Sequence, residues 1–243
     1  MLFLTITQYK ILVLIQLDFL AILIDWPILA KGVAWTVLLT TVATTIGVAI
    51  AIAFAWLRSE GPAWARAVVG AYVELLRNTP FIVQLFFVFF GLPAAGVKLS
   101  PEAASVIAMV LNLSAYATEI IRAGIAATPK GQIEAAQSLA LNRRQLFLDV
   151  VLPPALKKVW PALVSQIIIV MLGSAVCGQI STEELSYAAN LIQSRNFRAF
   201  EAFIIATLIY LCLSITLRAT LNALAQRFIF KRPLVKTGGK AHG

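Results

Sequence analysis

Two pairs of opposite charge stand out in a chain that is otherwise short of charge: Glu74 with Arg77, and Glu119 with Arg122. Each pair is three residues apart, a spacing that lets both side chains meet on one face of a helix. Asn78, Thr79 and Gln84 crowd around the first pair, with Pro80 among them, and Tyr116 and Ser174 add isolated polar groups elsewhere. A further mixed-charge group, Glu183, Glu184, Arg195 and Arg198, lies later in the chain. None of these is a catalytic set. His242 is the only histidine and sits in a glycine-rich end, so it builds neither a metal cluster nor a nucleophile with its base. Cys177 and Cys212 lie in apolar stretches and read as small hydrophobes, with no disulfide framework implied. No G-x-x-x-x-G-K-[ST] loop is present, so the chain does not bind ATP in that way. The chemistry left to these residues is recognition through charge and hydrogen bonds.

The elements that must position them are apolar. Of 243 residues, 60% are hydrophobic and 13% charged, with a mean hydropathy of +0.87. A soluble domain is nearer about half apolar and about a quarter charged. The blocks are long enough for a polytopic membrane protein. Spans are expected at about 33–57, 68–92, 101–126, 160–180 and 199–221. The second carries Glu74, Arg77, Asn78, Thr79 and Pro80 inside it, and the third carries Asn112, Tyr116, Glu119 and Arg122. Ionisable groups at membrane depth are costly unless paired or facing a cavity. These residues therefore either line a pathway or stabilise helix ends near the interface. Pro80 frees a backbone carbonyl, which fits an unwound stretch beside a cavity.

Residues 1–31 are broken by Lys10, Asp18, Asp25 and Pro27. No basic stretch precedes their apolar run as a cleaved signal requires, and they read as an interfacial helix leading into the first span. Residues 32–228 then form the transmembrane domain, with a polar segment at 127–158, and residues 229–243 form a basic tail. Five spans place the two ends on opposite sides. One set of loops holds Arg58, Arg66, Arg122, Lys130, Arg143, Arg144, Lys157, Lys158, Arg227, Lys231, Arg232, Lys236 and Lys240. The other set holds only Lys10, Lys31, Lys98, Arg195 and Arg198. Positive charge gathers on the cytoplasmic side, so the N-terminus is expected outside and the C-terminus and 127–158 inside. That asymmetry accounts for the net charge of +9 without nucleic acid as a partner.

The segment from Thr128 to Pro154 reads as two short helices and a turn. Pro129 suits a first turn after a Thr128 cap, and Glu134-Ala135-Ala136 is strongly helix-forming. Asn142 can cap the second helix with Gln145 as its reciprocal partner. Leu146, Phe147, Val150 and Val151 share one apolar face, and Pro153-Pro154 is expected to end the helix. Such a hairpin is either a docking knob for a soluble partner or an ordinary loop between spans.

Here the residues resemble a family. Glu134-Ala135-Ala136, Ala140 and Leu152-Pro153 are similar to the EAA loop of ABC importer permeases. Three more stretches resemble the polar amino acid group within it, whose range covers histidine, glutamate, glutamine, arginine and opines. They are Glu74 to Pro80 with Gln84-Leu85-Phe86, Ala115 to Ile125 running into Pro129-Lys130-Gly131-Gln132, and Ala188-Ala189-Asn190 with Arg195 to Glu201. The resemblance covers roughly residues 25–228. Two departures stand against it. The family usually has glycine where this chain has Ala140, and alanine is strained there if φ is positive. Its polar stretch in the fourth span is here Leu172-Gly173-Ser174, as in the less polar half of a heterodimer.

The resemblance implies an all-α, five-helix type I ABC importer permease (MetI-like) fold in a bacterial inner membrane. It implies a permease subunit that is not itself an enzyme and binds no cofactor, ATP and Mg belonging to a partner. The partners implied are an ATP-binding cassette ATPase dimer, a second permease subunit, identical or paralogous, and a periplasmic binding protein that delivers an amino acid. Coupling to the ATPase falls to Glu134, Ala135, Ala136, Ala140, Asn142, Leu152 and Pro153, with Arg143 and Arg144 added as exposed charges. Asn78, Thr79, Gln84, Tyr116, Glu119 and Ser174 are candidates for the pathway. Glu183, Glu184, Arg195 and Arg198 are candidates for docking the binding protein, or else a solvated loop. A secondary transporter of a small polar solute, driven by an ion gradient, and a channel are the competing classes. Neither explains the hairpin, and no internal repeat of the kind common in secondary transporters is visible.

Overall fold

The computed structural model describes residues 17–230, all of whose regular structure is helical. After a single turn at Leu20–Leu23 come α1 (Trp26–Glu60), α2 (Ala63–Arg77), α3 (Phe81–Ala94) and α4 (Pro101–Ala126). Then follow α5 (Lys130–Ser138), α6 (Arg143–Ile180), α7 (Leu185–Asn196) and α8 (Ala199–Ala225). The helices α1, α4, α6 and α8 are each long and apolar enough to cross a membrane, and α2 with α3 supply a fifth crossing if that bent pair is one span.

The core is built on α1 packed along α4, with α6 also packed against α4. Close approach depends on small residues, as is usual where both solvent and core are apolar. A Cβ placed on Gly124 of α4 would stand 2.8 Å from the Ala155 carbonyl oxygen of α6, a distance that side chains do not tolerate. A second, smaller core joins the first turns of α1 to α7 and α8 through Leu29, Leu185, Ile192 and Ala202. A Cβ on Gly32 would sit 2.9 Å from the Leu185 Cα in this seam.

Several elements differ from the sequence expectation. The first span begins at Trp26, with Pro27 at its start, so Pro27 and Lys31 belong to the long helix and not to an interfacial segment. Proline is tolerated there because the first helical N–H groups have no intrahelical acceptor. Whatever precedes residue 17, and the tail beyond residue 230, lie outside the described residues. The second span is not one helix: α2 and α3 meet at 110° across Asn78-Thr79-Pro80. The connection at 181–198 contains the twelve-residue helix α7, whose Leu185, Ala188, Ala189 and Ile192 are buried.

The most instructive difference lies at Pro153-Pro154. They do not end a helix; the helix passes straight through them into the fourth span. A proline clashes with the carbonyl four residues earlier and cannot donate to it. Here the preceding turn, Leu146–Val151, is wound as a π-helix, and the Leu152 N–H donates to the Phe147 carbonyl five residues back. The wider turn makes room for both rings.

A buried side chain serves the break between α2 and α3. Gln84, 7% exposed, donates to the carbonyls of Leu76 at 2.7 Å and Thr79 at 3.0 Å, and accepts from the Asn112 amide of α4 at 3.0 Å. It replaces the helical partners that Pro80 removes. Gln84→Leu strands those carbonyls and the Asn112 amide, at a cost of about 1–3 kcal/mol, nearer the low end where an unfolded chain in lipid also finds partners. Thermal unfolding of the purified chain in detergent should shift down by several degrees; an unchanged midpoint would mean that the break is held by other contacts.

Candidate functional site

The hairpin α5–α6 carries the motif residues of the sequence and is built from two terminal devices. At its second helix, the Asn142 Oδ1 accepts from the Gln145 N–H at 2.9 Å while the Gln145 Oε1 accepts from the Asn142 N–H at 3.0 Å, the reciprocal cap expected from the sequence. At the end of α5 the chain turns through Ala140, whose φ is +54°. The Ala140 N–H donates to the Gln137 carbonyl at 2.9 Å and the Leu141 N–H to the Ala136 carbonyl at 3.4 Å. This is a Schellman closure, which needs one left-handed residue and favours glycine there. The expected Thr128 cap is absent: Pro129 itself stands at the cap position with extended backbone, and no side chain caps α5.

The exposed surface of α5 includes Glu134 and Ala135, and Leu139, just past its end, is 75% exposed. Ala136 is buried, so it packs the hairpin onto its own chain and offers no surface to a partner. Phe147, Val151 and Leu152 are likewise buried and fix the start of α6 to the core, while Pro153 is half-buried. The two arginines part company. Arg143 and Arg144 are both exposed, but Arg144 shares a helix face with Phe147 and Leu148 and lines a groove against α1.

The polar residues of the spans fall into two groups. Glu74 and Arg77 form no ion pair with each other. Arg77 instead lies 5.5 Å over the Tyr116 ring, and its carbonyl accepts from the Tyr116 hydroxyl at 3.2 Å. Asn78 is exposed at the end of α2, and Thr79 bonds back to the Leu75 carbonyl at 2.8 Å. Glu119 is paired with Arg122 as its spacing suggests, at 2.8 Å, and also with Arg58 of α1, whose Nη1 lies 3.1 Å from Oε1 as an ion pair without hydrogen-bond alignment. Arg58 was legible only as a basic loop residue; its place opposite Glu119 depends on how α1 lies along α4.

Gln84 and Ser174 are buried and committed to internal bonds, Gln84 at the helix break and Ser174 to the Met171 carbonyl at 2.6 Å.

Glu184 is withdrawn from the mixed-charge surface in the same way. It is fully buried and caps α7, accepting from the N–H groups of Ser186 at 2.9 Å and Tyr187 at 2.7 Å and from the Tyr210 hydroxyl at 2.5 Å. Burial pushes its carboxyl up, and the three donors act against that shift. Beside it the Leu185 N–H donates to the Thr36 hydroxyl of α1, and a Cβ on Gly178 would fall 2.8 Å from Oε1. A lone tyrosine in an apolar span was the one sequence signal for this network. The surface group that remains is Lys31 paired to Glu183, exposed Arg195, and Arg198 held by Glu201 at 3.1 Å and Asp18 at 3.7 Å.

With this geometry in hand, comparison with known proteins gives a consistent picture. The family model described as "Binding-protein-dependent transport system inner membrane component" matches residues 44–230. The probable glutamine ABC transporter permease protein GlnM of Bacillus subtilis (strain 168) is 38% identical over 157 residues, 65% of this chain and 73% of that protein. The glutamine transport system permease protein GlnP of Escherichia coli (strain K12) is 31% identical over 214 residues, 87% of this chain and 98% of that one. Among solved structures, an amino acid ABC transporter crystallised with histidines superposes with a TM-score of 0.78 at 35% identity, covering 88% of this chain and all of that one. The MetNI methionine ABC transporter in an inward-facing form superposes at 0.69 with 19% identity, over 82% of this chain and 95% of that one, a likeness of fold.

Ala140 gives the cleanest test of the hairpin. A left-handed alanine carries a strain of about 1 kcal/mol, which glycine does not. Ala140→Gly should raise the thermal midpoint of the purified chain and Ala140→Val should lower it. Equal midpoints for all three would show that the turn does not hold its left-handed geometry.

Proposed function

The chain belongs to the family of binding-protein-dependent transport system inner membrane components, and from that premise we propose that it is a permease subunit of an ATP-driven importer of polar amino acids. The observation that carries this reading is the hairpin, a capped and rigidly seated pair of helices beyond the spans, with Glu134, Ala135 and Leu139 turned outward. The names of the relatives, permeases for glutamine in two bacteria, support the class of substrate.

In this reading the hairpin lies in the cytoplasm and seats in an ATPase dimer that binds and hydrolyses the ATP with its Mg. Glu134 and Arg143 offer charge, Ala135 lets the partner approach closely, and Leu139 supplies an apolar anchor of the kind that dominates small interfaces. Asn142 and Ala140 shape the turn, and Leu152 and Pro153 set the angle at which α6 enters the membrane. The basic residues of the hairpin loops put that side inside, and the N-terminus outside.

A second permease subunit, identical or paralogous, completes the pathway. On this chain the exposed Asn78, the half-buried Thr79 and the Arg77–Tyr116 pair at the α2–α3 break are the groups that face it, with Glu119 at its inner edge. They suit the charged ends of an amino acid, because they gather polar side chains within spans that are otherwise largely apolar. Glu183, Arg195 and Arg198, on the opposite side from the hairpin, receive the binding protein.

Purification from native membranes in mild detergent tests the hairpin. The ATPase subunit should stay bound to the wild-type chain, and Glu134→Arg should reduce the bound fraction at least about tenfold, as charge reversal in a buried interface does. Undiminished ATPase with both Glu134→Arg and Leu139→Asp would overturn the assignment of this surface.

A further inference from the structure

One side of the hairpin meets the end of α1. Between the last turns of α1 and the start of α6 runs a groove of about 260 Å³. Ala49, Ile52, Ala53 and Trp56 form one wall, Phe147 is on the other, and Arg144 is the only charged or polar side chain that lines it. Ala49 and Ala53, four apart on one helix face, leave a trough for want of bulk. It follows α1 for about 10 Å. Trp56 stands close to Phe147 across the groove, its ring 6.3 Å from that of Phe147. No ion pair or side-chain hydrogen bond engages Arg144 among the described residues.

We propose that this groove holds an anionic phospholipid of the cytoplasmic leaflet, with an acyl chain along α1 and the phosphate on Arg144. The assignment rests on the reading above only in placing the hairpin on the cytoplasmic side. Two observations choose the occupant. The trough has almost no polar lining, so a peptide laid in it would leave its backbone N–H and C=O groups unpaired, whereas an acyl chain has none to pair. The one cation lines the same groove as an exposed tryptophan, a residue of the type that marks the level of the headgroups. An apolar tail with a single negative group at its end matches both features. Basic pockets beside spans on the cytoplasmic side select anionic over zwitterionic headgroups.

The test uses the full-length chain, purified with whatever subunits accompany it, equilibrated with dioleoyl phosphatidylglycerol or dioleoyl phosphatidylcholine and read by native mass spectrometry. The wild-type chain should retain one phosphatidylglycerol that Arg144→Gln retains about fivefold less, and phosphatidylcholine should not substitute for it. Ala53→Phe, which fills the trough and keeps the arginine, should lose the same lipid. Equal retention of phosphatidylglycerol by the wild type and both variants, or equal retention of the two lipids, would overturn the proposal. So would an Arg144→Gln variant that sheds the ATPase while its lipid count stays unchanged, since the arginine then belongs to the protein interface. The lipid count needs no ATPase, so it stays readable whether or not the coupling assignment survives.

Discussion

In hydrocarbon a backbone N–H or C=O has no water to turn to, and every interruption of a helix must bring its own partner. At two interior interruptions among the described residues, a buried side chain takes up backbone groups that the helices leave open. Gln84 takes the carbonyls left open at Asn78-Thr79-Pro80 and passes its own oxygen to Asn112 of the central helix. Glu184 takes the first N–H groups of α7 and is met by Tyr210 of α8. The arrangement of α1, α4, α6 and α8 around these points follows from it. Remove either side chain and the neighbouring helices lose the bonds that fix their angle.

The same constraint explains why the polar residues of the spans divide as they do. Those that repair backbone are buried and spoken for. Those that remain exposed, Asn78 and Arg77, sit just beside a repaired break. A repaired break of this kind lets a spanning chain present polar side chains beside it without stranding its own backbone. Glu119 belongs to neither set: it ties α1 to α4 through two arginines at the ends of those helices.

Periodicity and composition alone found the apolar runs within α1, α4, α6 and α8, but not the starts of α1 at Trp26 or of α6 at Arg143. The Asn142–Gln145 cap was legible because capping is local, and three residues suffice to specify it. The strain at Ala140 was legible only conditionally. Sequence shows the alanine, but the sign of φ comes from the closure that Leu141 and Ala136 complete. What escaped was tertiary. The burial of Glu184 depends on Gly178, Thr36 and Tyr210 converging from three separate elements, and in the sequence it was indistinguishable from its exposed neighbour Glu183. The passage of α6 through Pro153-Pro154 escaped for another reason. A π-turn has no composition signal, so the two prolines read as a stop.

That passage bears on how the hairpin can act. Had the prolines ended a helix, the hairpin would hang on a flexible joint, and a push on Glu134 would be absorbed there. Instead its second arm is one continuous helix from Arg143 to Ile180. Ala136, Phe147, Val151 and Leu152 bury the hairpin against the core, and Gly124 lets α4 touch α6 at Ala155. Packed interiors of this density do not deform continuously; they move as bodies. A displacement at the hairpin is therefore carried along α6 to its far end, where Ser174–Ile180 tightens into a 3-10 helix and the buried carboxylate of Glu184 joins α7 to α8. The compliance that such a lever needs is then at its irregular points: the π-turn before Leu152, Pro161, which withholds an N–H from the Lys157 carbonyl, and the tightened turn after Gly173.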